Sequence, residues 1–414
     1  MKTLIVISDK AKGKFHDIQK DSCELEGLCA TAGLKTAAVK TVKLKQINSS
    51  YYIGRGKAEE IAEEVSKKNI KAVLFREDLS AAQQKNLSDL IGAEVLDRTY
   101  LILKIFEQRA NSPEGKLQVK LAKAAYEMTR LYGLGASMDQ QDGTIGTRGA
   151  GERISEYKRR VLKSKFINLK RELEKVKKER AVQREKRRKV PIPQISIVGY
   201  TNCGKSTLLS ALTENKHKIY ADDRLFATLD PLIKRVKMPA GYDMLFSDTV
   251  GFVSDLPAFL VEAFKSTLEE IKYSDLLIHL KDLSNPDWEK QSECVNMLLK
   301  EIGADNMPIL EVFNKIDKAE NAVLNLKSNP LYSNHIFISA ANGEGLKNLL
   351  EEVQKRFLKI WGRNTIRLSH AKSRFIGEIE KYALIEKIKW FDGFAEISLM
   401  ASPGNIEKIR NLIK

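Results

Sequence analysis

Ile195-Ser196-Ile197-Val198-Gly199-Tyr200-Thr201-Asn202-Cys203-Gly204-Lys205-Ser206-Thr207 is the stretch that settles the fold of this chain. Ile195 to Val198 has the character of a buried strand, Gly199 to Ser206 spells Gly-x-x-x-x-Gly-Lys-Ser, and a helix is expected from about Thr207 to Leu212. In that strand–loop–helix setting the glycines let backbone N–H groups close around phosphates, Lys205 supplies charge to the β- and γ-phosphates, and the Ser206 hydroxyl binds Mg2+. The candidate nucleotide-binding residues here are therefore Gly199, Tyr200, Thr201, Asn202, Cys203, Gly204, Lys205, Ser206 and Thr207. The Asn202 amide has two readings, a ligand for K+ beside the phosphates or a brace within the loop.

Downstream, Pro308 to Phe313 forms an expected strand that delivers Asn314-Lys315-Ile316-Asp317. The Asp317 carboxylate can accept both the ring N–H and the exocyclic amino group of guanine, a pair that adenine cannot offer, while Asn314 reaches the other edge and the Lys315 stem covers the base. This selects GTP and GDP over ATP, and disfavours a metabolic kinase. A further strand, Ile336 to Ile338, brings up Ser339 and Ala340, whose backbone can meet the guanine oxygen. Between the two motifs, a strand from Met244 to Ser247 leads to Asp248-Thr249-Val250-Gly251, where Asp248 would hold Mg2+ through water and the Gly251 N–H would meet the γ-phosphate. Thr228, in the loop Phe226-Ala227-Thr228-Leu229-Asp230, is the expected metal ligand ordered only by triphosphate. The metal set is thus Ser206, Thr228 and Asp248, and the catalytic set is Lys205, Thr228 and Gly251. Ras-like enzymes place Gln after this Gly to orient water, but here the residue is Phe252, whose ring has no group for that task.

Upstream, residues 1–98 alternate β-rich runs (Leu4–Ile7, Ala37–Lys43, Ala72–Phe75, Ala93–Leu96) with helical patterns (Ala58–Lys68, Ala81–Ile91), the rhythm of a small domain with a mostly parallel sheet. Gly54-Arg55-Gly56-Lys57 precedes one of those helices and reads as a tight turn, with a phosphate site as the other reading. Two apolar seams follow, Leu117, Leu121, Ala124, Met128, Leu131 and Leu162, Phe166, Leu169, Leu173, Val176, which suggest an antiparallel helical hairpin. The glycine-rich segment from Tyr132 to Glu152 is expected to leave the helix and form the loop between them.

Charge sharpens the picture. Lys and Arg number 70 against 54 Asp and Glu, a net of +16. From Arg153 to Lys189 there are 17 basic residues against five Glu, so +12 of the excess lies on one element. That concentration points to phosphate-backbone contact, with nucleic acid before a membrane surface as the expected polyanion. With 30% charged and 43% hydrophobic residues the composition is that of a folded globular chain, not a collagen or a membrane protein. Cys23, Cys29, Cys203 and Cys294 lack zinc or disulfide spacing. No signal h-region or apolar run of membrane-spanning length is present, so a cytoplasmic protein is expected; the chain is separately expected to act as a monomer.

These residues resemble the HflX family of ribosome-associated GTPases over roughly residues 50 to 360. The resemblance is carried by Tyr52 to Lys57, Asp97-Arg98-Thr99, Leu101 to Phe106 with Gln108-Arg109-Ala110, Glu114 to Val119, Gly146-Thr147-Arg148-Gly149, the phosphate loop, Phe226 to Asp230, Asp248 to Phe252, Pro257, and Leu260 to Glu270. It implies an α/β fold: an N-terminal α/β domain (1–110), a basic helical hairpin with a Gly-rich loop (111–190) and a P-loop GTPase domain (191–363). It also implies binding to the large ribosomal subunit and its rRNA, not DNA, with splitting or rescue of stalled ribosomes. Beyond the resemblance, a turn at Asp392-Gly393 between two β-like runs and a helix capped at Ser402-Pro403 read as a small accessory α+β unit (364–414). Departures are Gly149-Ala150-Gly151-Glu152, where the family has Gly-Pro-Gly-Glu, then Arg153, and Ser254 and Ala258 where basic and His residues are common. A non-ribosomal RNA-binding or RNA-remodelling protein regulated by GTP is the alternative reading.

Overall fold

The computed structural model describes residues 1–10, 18–138, 150–188, 192–213, 226, 229, 231–253, 256–332 and 335–413. These form two compact units: Met1–Glu174 with Arg224–Leu229 and Asp255–Phe264, and Lys175–Asp223 with Asp230–Ser254 and Lys265–Lys414.

The first unit opens with β1 (Lys2–Lys10), α1 (Ile18–Thr31), β2 (Lys35–Leu44), α2 (Arg55–Lys67), β3 (Ala72–Phe75), α3 (Ala81–Ile91), β4 (Glu94–Asp97) and α4 (Arg98–Arg109). The strands form a parallel sheet in the order β2-β1-β3-β4. Every residue of β3 is buried, as expected of a strand covered on both faces. Local signals set the helix starts. Ser80 and Gln83 form a reciprocal capping box on α3, and the Asp97 carboxylate accepts the Tyr100 N–H at 2.8 Å to start α4.

Asp97 also anchors the helix that follows. From α5 (Pro113–Met138), Tyr126 Oη donates to Asp97 Oδ1 at 2.9 Å and the Arg130 guanidinium lies 2.6 Å from Oδ2. Asp97 is fully buried, and the guanidinium also reaches the Leu79 carbonyl and covers the Tyr126 ring at 4.4 Å. Burial among these charges pushes the Tyr126 hydroxyl pKa up, so it remains a donor.

Helix α6 (Ala150–Arg188) pairs with α5 through the expected seams, where Leu117, Leu121 and Ala124 pack with Phe166, Leu169 and Leu173. Its described side chains from 156 to 179 are otherwise exposed or half-buried, which leaves the basic face to solvent. The expected loop is shorter than Tyr132–Glu152, because α5 runs on to Met138 and α6 begins at Ala150. A glycine inside a helix costs only about 1 kcal/mol against Ala, so a long helix already anchored by packing continues through Gly133 and Gly135. Gly143, Gly146, Arg148 and Gly149 lie outside the described residues.

The second unit is built on β5 (Gln194–Gly199), α7 (Lys205–Leu212), β6 (Leu232–Lys237), β7 (Asp243–Asp248), the end of α8 (Ala258–Glu269), β8 (Leu276–Asp282), α9 (Trp288–Glu301), β9 (Ile309–Asn314), α10 (Glu320–Lys327), β10 (Ile336–Phe337) and α11 (Leu346–Trp361). The strand order is β10-β9-β8-β5-β7-β6, parallel except for β6. The chain leaves β5 toward β7 on one side and returns to β8 on the other, so the carboxyl end of β5 is the topological switch point where α/β sheets bind ligands. Leu349, Val353, Phe357 and Trp361 make one buried stripe on α11 at helical spacing and close the core over β5, β8 and β9.

Beyond Trp361, β11 (Arg363–Ser369), α12 (Ile376–Ile379), β12 (Leu384–Phe391), β13 (Phe394–Met400) and α13 (Pro403–Ile413) build an antiparallel sheet ordered β11-β13-β12. Ile366, Leu368, Ile397, Leu399, Ile406 and Ile409 form its own core, while Met400 joins the core of the larger sheet. The Asp392-Gly393 turn and the helix after Ser402 fall where the sequence places them; β11 was not anticipated.

Candidate nucleotide-binding site

At the end of β5 the chain turns through Tyr200-Thr201-Asn202-Cys203 into α7. Gly204 adopts φ +95°, and a methyl group there would collide with the Asn314 side-chain amide. Only glycine meets both demands. The Lys205 ammonium is buried beneath the loop and donates to the Gly199 and Tyr200 carbonyls at 3.1 and 3.0 Å. Asn202 sits exposed at φ +61°, a conformation Asn tolerates better than most residues. Cys203 is buried, and burial pushes its thiol pKa up, so it packs against the loop as a neutral group.

Strand β7 lies beside β5 with Asp248 in register with Ile197. Ser206 Oγ donates to Asp248 Oδ2 at 2.5 Å, which puts the two expected Mg2+-binding oxygens side by side. Thr249 Oγ1 holds the Ile197 carbonyl at 2.7 Å. The next residues pair with the phosphate loop itself: Thr201 N–H donates to the Phe252 carbonyl at 2.7 Å and Phe252 N–H to the Gly199 carbonyl at 3.2 Å. A Cβ on Gly251 would stand 3.0 Å from Thr201 Cα and 3.2 Å from Lys205 Nζ, so the chain approaches the loop as closely as glycine allows. Phe252 is 1% exposed and packs with Val198, Leu268, Leu277, Val295 and Leu299. Its side chain is a core residue.

On the other side of β5, β8 ends at Asp282 and β9 at Asn314. Lys315 takes φ +64° and its ammonium reaches Asp282 Oδ2 at 2.8 Å, which stretches the stem across this end of the sheet. Asn314 is buried with its amide engaged at both ends, donating to the Cys203 carbonyl at 2.8 Å and accepting the Ala340 N–H at 2.9 Å. It therefore ties the phosphate loop to the Ser339-Ala340 segment, a bracing role distinct from the base contact expected of it. Asp317 Oδ1 accepts from Ser339 Oγ at 2.6 Å, which fixes one carboxylate oxygen.

Of the expected site residues, the structure brings together the loop from Gly199 to Thr207, Asp248, Gly251, Asn314, Lys315, Asp317, Ser339 and Ala340; Thr228 lies outside the described residues. Phe226, two residues earlier, is 1% exposed at φ +56° and meets Phe106 and Phe264 edge-on, each with centroids 4.8 Å apart. In Gly54–Lys57, Arg55 and Lys57 pair with Glu59 and Glu60 of their own helix, as suits a plain helix start. Sequence reasoning missed Asp282 and the bracing by Asn314. Position at the carboxyl end of a central strand would have signalled the first, whereas the second depends on a tertiary contact that no local pattern announces.

A phosphate loop at the switch point, an Asp beside its Ser, and an Asn-Lys-x-Asp segment locked to it define a P-loop GTPase domain. Residues 194–315 match a family model described as 50S ribosome-binding GTPase, residues 19–107 one described as GTP-binding GTPase N-terminal, and residues 109–187 one described as GTP-binding GTPase Middle Region. GTPase HflX of Caldanaerobacter subterraneus is 44% identical over 81% of this chain and 77% of its own length. GTPase HflX of Escherichia coli is 39% identical over 92% of this chain and 89% of its own. Among solved structures, SsGBP in complex with GDP is similar, with 27% identity, a TM-score of 0.50, and coverage of 86% of this chain and 98% of that one. The chain belongs to the HflX family of GTPases.

Proposed function

We propose that this chain binds GTP with Mg2+, hydrolyses it to GDP and phosphate, and uses the cycle to bind and release the large ribosomal subunit, splitting or rescuing stalled ribosomes in the cytoplasm as a monomer. The observation that carries the nucleotide half is the join made by Asn314, which holds the guanine-reading segment to the phosphate loop. Oxygen donors at Ser206 and Asp248 suit a hard cation such as Mg2+, which would neutralise phosphate charge. In this reading Lys205 counters the β- and γ-phosphates, Gly199 to Thr207 supply backbone donors, the Gly251 N–H meets the γ-phosphate, and Thr228 completes the metal set. Asp317, oriented by Ser339, reads guanine beneath the Lys315 stem, and Ala340 closes the pocket. In this reading Asn202 either helps ligate K+ beside the phosphates or braces the loop.

The ribosomal half is supported by the matched family models and by the exposed basic face of α6, suited to rRNA backbone. The working parts are residues 1–110, 111–190, 191–363 and 364–414. Sucrose-gradient sedimentation with purified subunits is the test. The chain should travel with the large subunit in a non-hydrolysable GTP analogue and stay at the top of the gradient in GDP. Equal sedimentation in both nucleotides would reject the switch, and none in either would favour a non-ribosomal RNA-binding role.

A further inference from the structure

The sheet formed by β11, β13 and β12 packs one face into its own core; on the other face the Met400 and Leu384 end joins the core of the larger sheet, and the rows toward the hairpin tip are open to solvent. Register puts Ile366, Leu368, Ala395, Ile397 and Leu399 on the buried face. The cross-strand sets Ser369–Phe394–Phe391, Arg367–Glu396–Lys389 and Thr365–Ser398–Lys387 lie on the other. On that open face the Phe391 and Phe394 rings stack at 5.1 Å with 17° between their planes, and Phe391 is 45% exposed. The Arg367 guanidinium stands 5.4 Å from the Phe394 centroid. Around the edge of the same hairpin tip, Trp390 is 58% exposed and lies 5.8 Å from the His370 ring.

An exposed Phe391 ring backed by a half-buried Phe394 at a hairpin tip does little for folding, since the hydrophobic effect rewards removing such rings from water. What surrounds the rings identifies what they suit. Four cations (Arg363, Arg367, Lys387, Lys389) share this face with Glu396, which is 3.5 Å from Arg367, while Arg363 pairs with Glu386 at 2.9 Å. Protein interfaces deplete Lys from their centres, whereas proteins that hold unpaired nucleotides set aromatic faces among cations, the ring for the base and the cation for its phosphate. A duplex hides its base faces by internal stacking and cannot use such a platform. The hydroxyls of Thr365, Ser369 and Ser398 line the same face and suit a ribose 2′-hydroxyl.

We propose that the open face of β11, β13 and β12 binds single-stranded RNA, stacking a base on the exposed ring of Phe391, which Phe394 backs, and holding the backbone with Arg367, Lys387 and Lys389. The Phe rings offer no hydrogen-bond donors or acceptors, so the site is tolerant of sequence. None of these residues belongs to α6 or to the nucleotide loops, and the proposal stands whatever the ribosomal reading becomes.

The test uses the full chain and a fluorescein-labelled 12-nucleotide single-stranded RNA carrying 4-thiouridine. Wild type should bind it, and ultraviolet crosslinks should map to the peptide around Trp390–Phe394. Phe391→Ser with Phe394→Ser should lower affinity at least about tenfold and abolish those crosslinks. Lys387→Glu with Lys389→Glu, which leaves the ring pair in place, should weaken binding by a similar factor, so a misfolded Phe variant does not decide the matter. Lys163, Lys165, Arg171 and Lys175→Gln on α6 should leave the mapped crosslinks in place. Unchanged RNA affinity in both double variants, with crosslinks mapping elsewhere, overturns the proposal whatever those variants do to protein contacts. Single-stranded DNA of the same sequence binding as tightly as the RNA would overturn the assignment to RNA.

Discussion

Asp317 and His279 show how single positions are committed by their surroundings. One Asp317 oxygen is fixed by Ser339, so the carboxylate is oriented before a base arrives. Asp317→Asn replaces an acceptor with a donor facing guanine N–H groups. GTP affinity should fall about 10- to 100-fold in a fluorescent-nucleotide titration, with preference passing to xanthosine triphosphate, whose ring carries an acceptor there. Unchanged GTP affinity would remove Asp317 from the base site. His279 lies in β8, 1% exposed, and burial followed by the nearby Lys281 pushes its pKa down to about 4. The unfolded chain takes up that proton near pH 6.5, so the unfolded state binds more protons and stability falls as pH drops through the window from 6.5 to 4. Between pH 6.5 and 5 the loss is about 2 kcal/mol. Urea denaturation at the two pH values should show it in wild type and show a smaller loss in His279→Leu; equal losses would mean that other groups carry the acid sensitivity.

At the scale of elements, the hairpin is tied to its sheet by one buried carboxylate. Asp97 caps α4, accepts from Tyr126 and pairs with Arg130, so β4, α4 and α5 share one charge. Asp97→Ala would leave Arg130 without its counter-charge in a buried setting, and should cost about 3–5 kcal/mol in a denaturant titration of the full chain. A loss below 1 kcal/mol would show that the apolar seam alone positions the hairpin. The basic face of α6 belongs to a different kind of energy. Each phosphate it neutralises releases counterions, so log K against log salt should flatten by roughly 0.7–0.9 for every contact removed. Replacing Lys163, Lys165, Arg171 and Lys175 by Gln should reduce the slope for RNA or ribosome binding, and an unchanged slope would mark those residues as an ordinary solvated face. The helical seams were legible because apolar residues at spacings of three and four must be buried. The helix ends were not, because Gly133, Gly135 and Gly151 argue locally for a break while a long packed helix absorbs their small cost.

For the whole molecule, the sequence motifs mark what each loop carries, and the sheet order explains why the loops meet. Gly199–Thr207 and Asp248–Gly251 are legible because strand–loop–helix and strand–loop patterns are local. That Asn314 binds the first loop to Ser339-Ala340 was not legible, because residues more than a hundred positions apart meet only through the order of β5, β8 and β9. Phe252 carries the argument furthest. A Gln at its place could orient water, but this ring is locked in the core with its backbone paired to the phosphate loop, so the chain lacks a side chain for that task at the usual place. Hydrolysis by the free protein should therefore be slow, and a catalytic group supplied by the ribosome or a cation beside Asn202 should raise it. Trans-acting groups of this kind are worth about 10³ to 10⁵ in rate. The most direct measurement is the steady-state rate of GTP hydrolysis with and without purified large ribosomal subunits, in matched potassium and sodium buffers. A low rate for the free protein and a large rise on adding subunits is the predicted result; equal rates with and without subunits in both salts would contradict it.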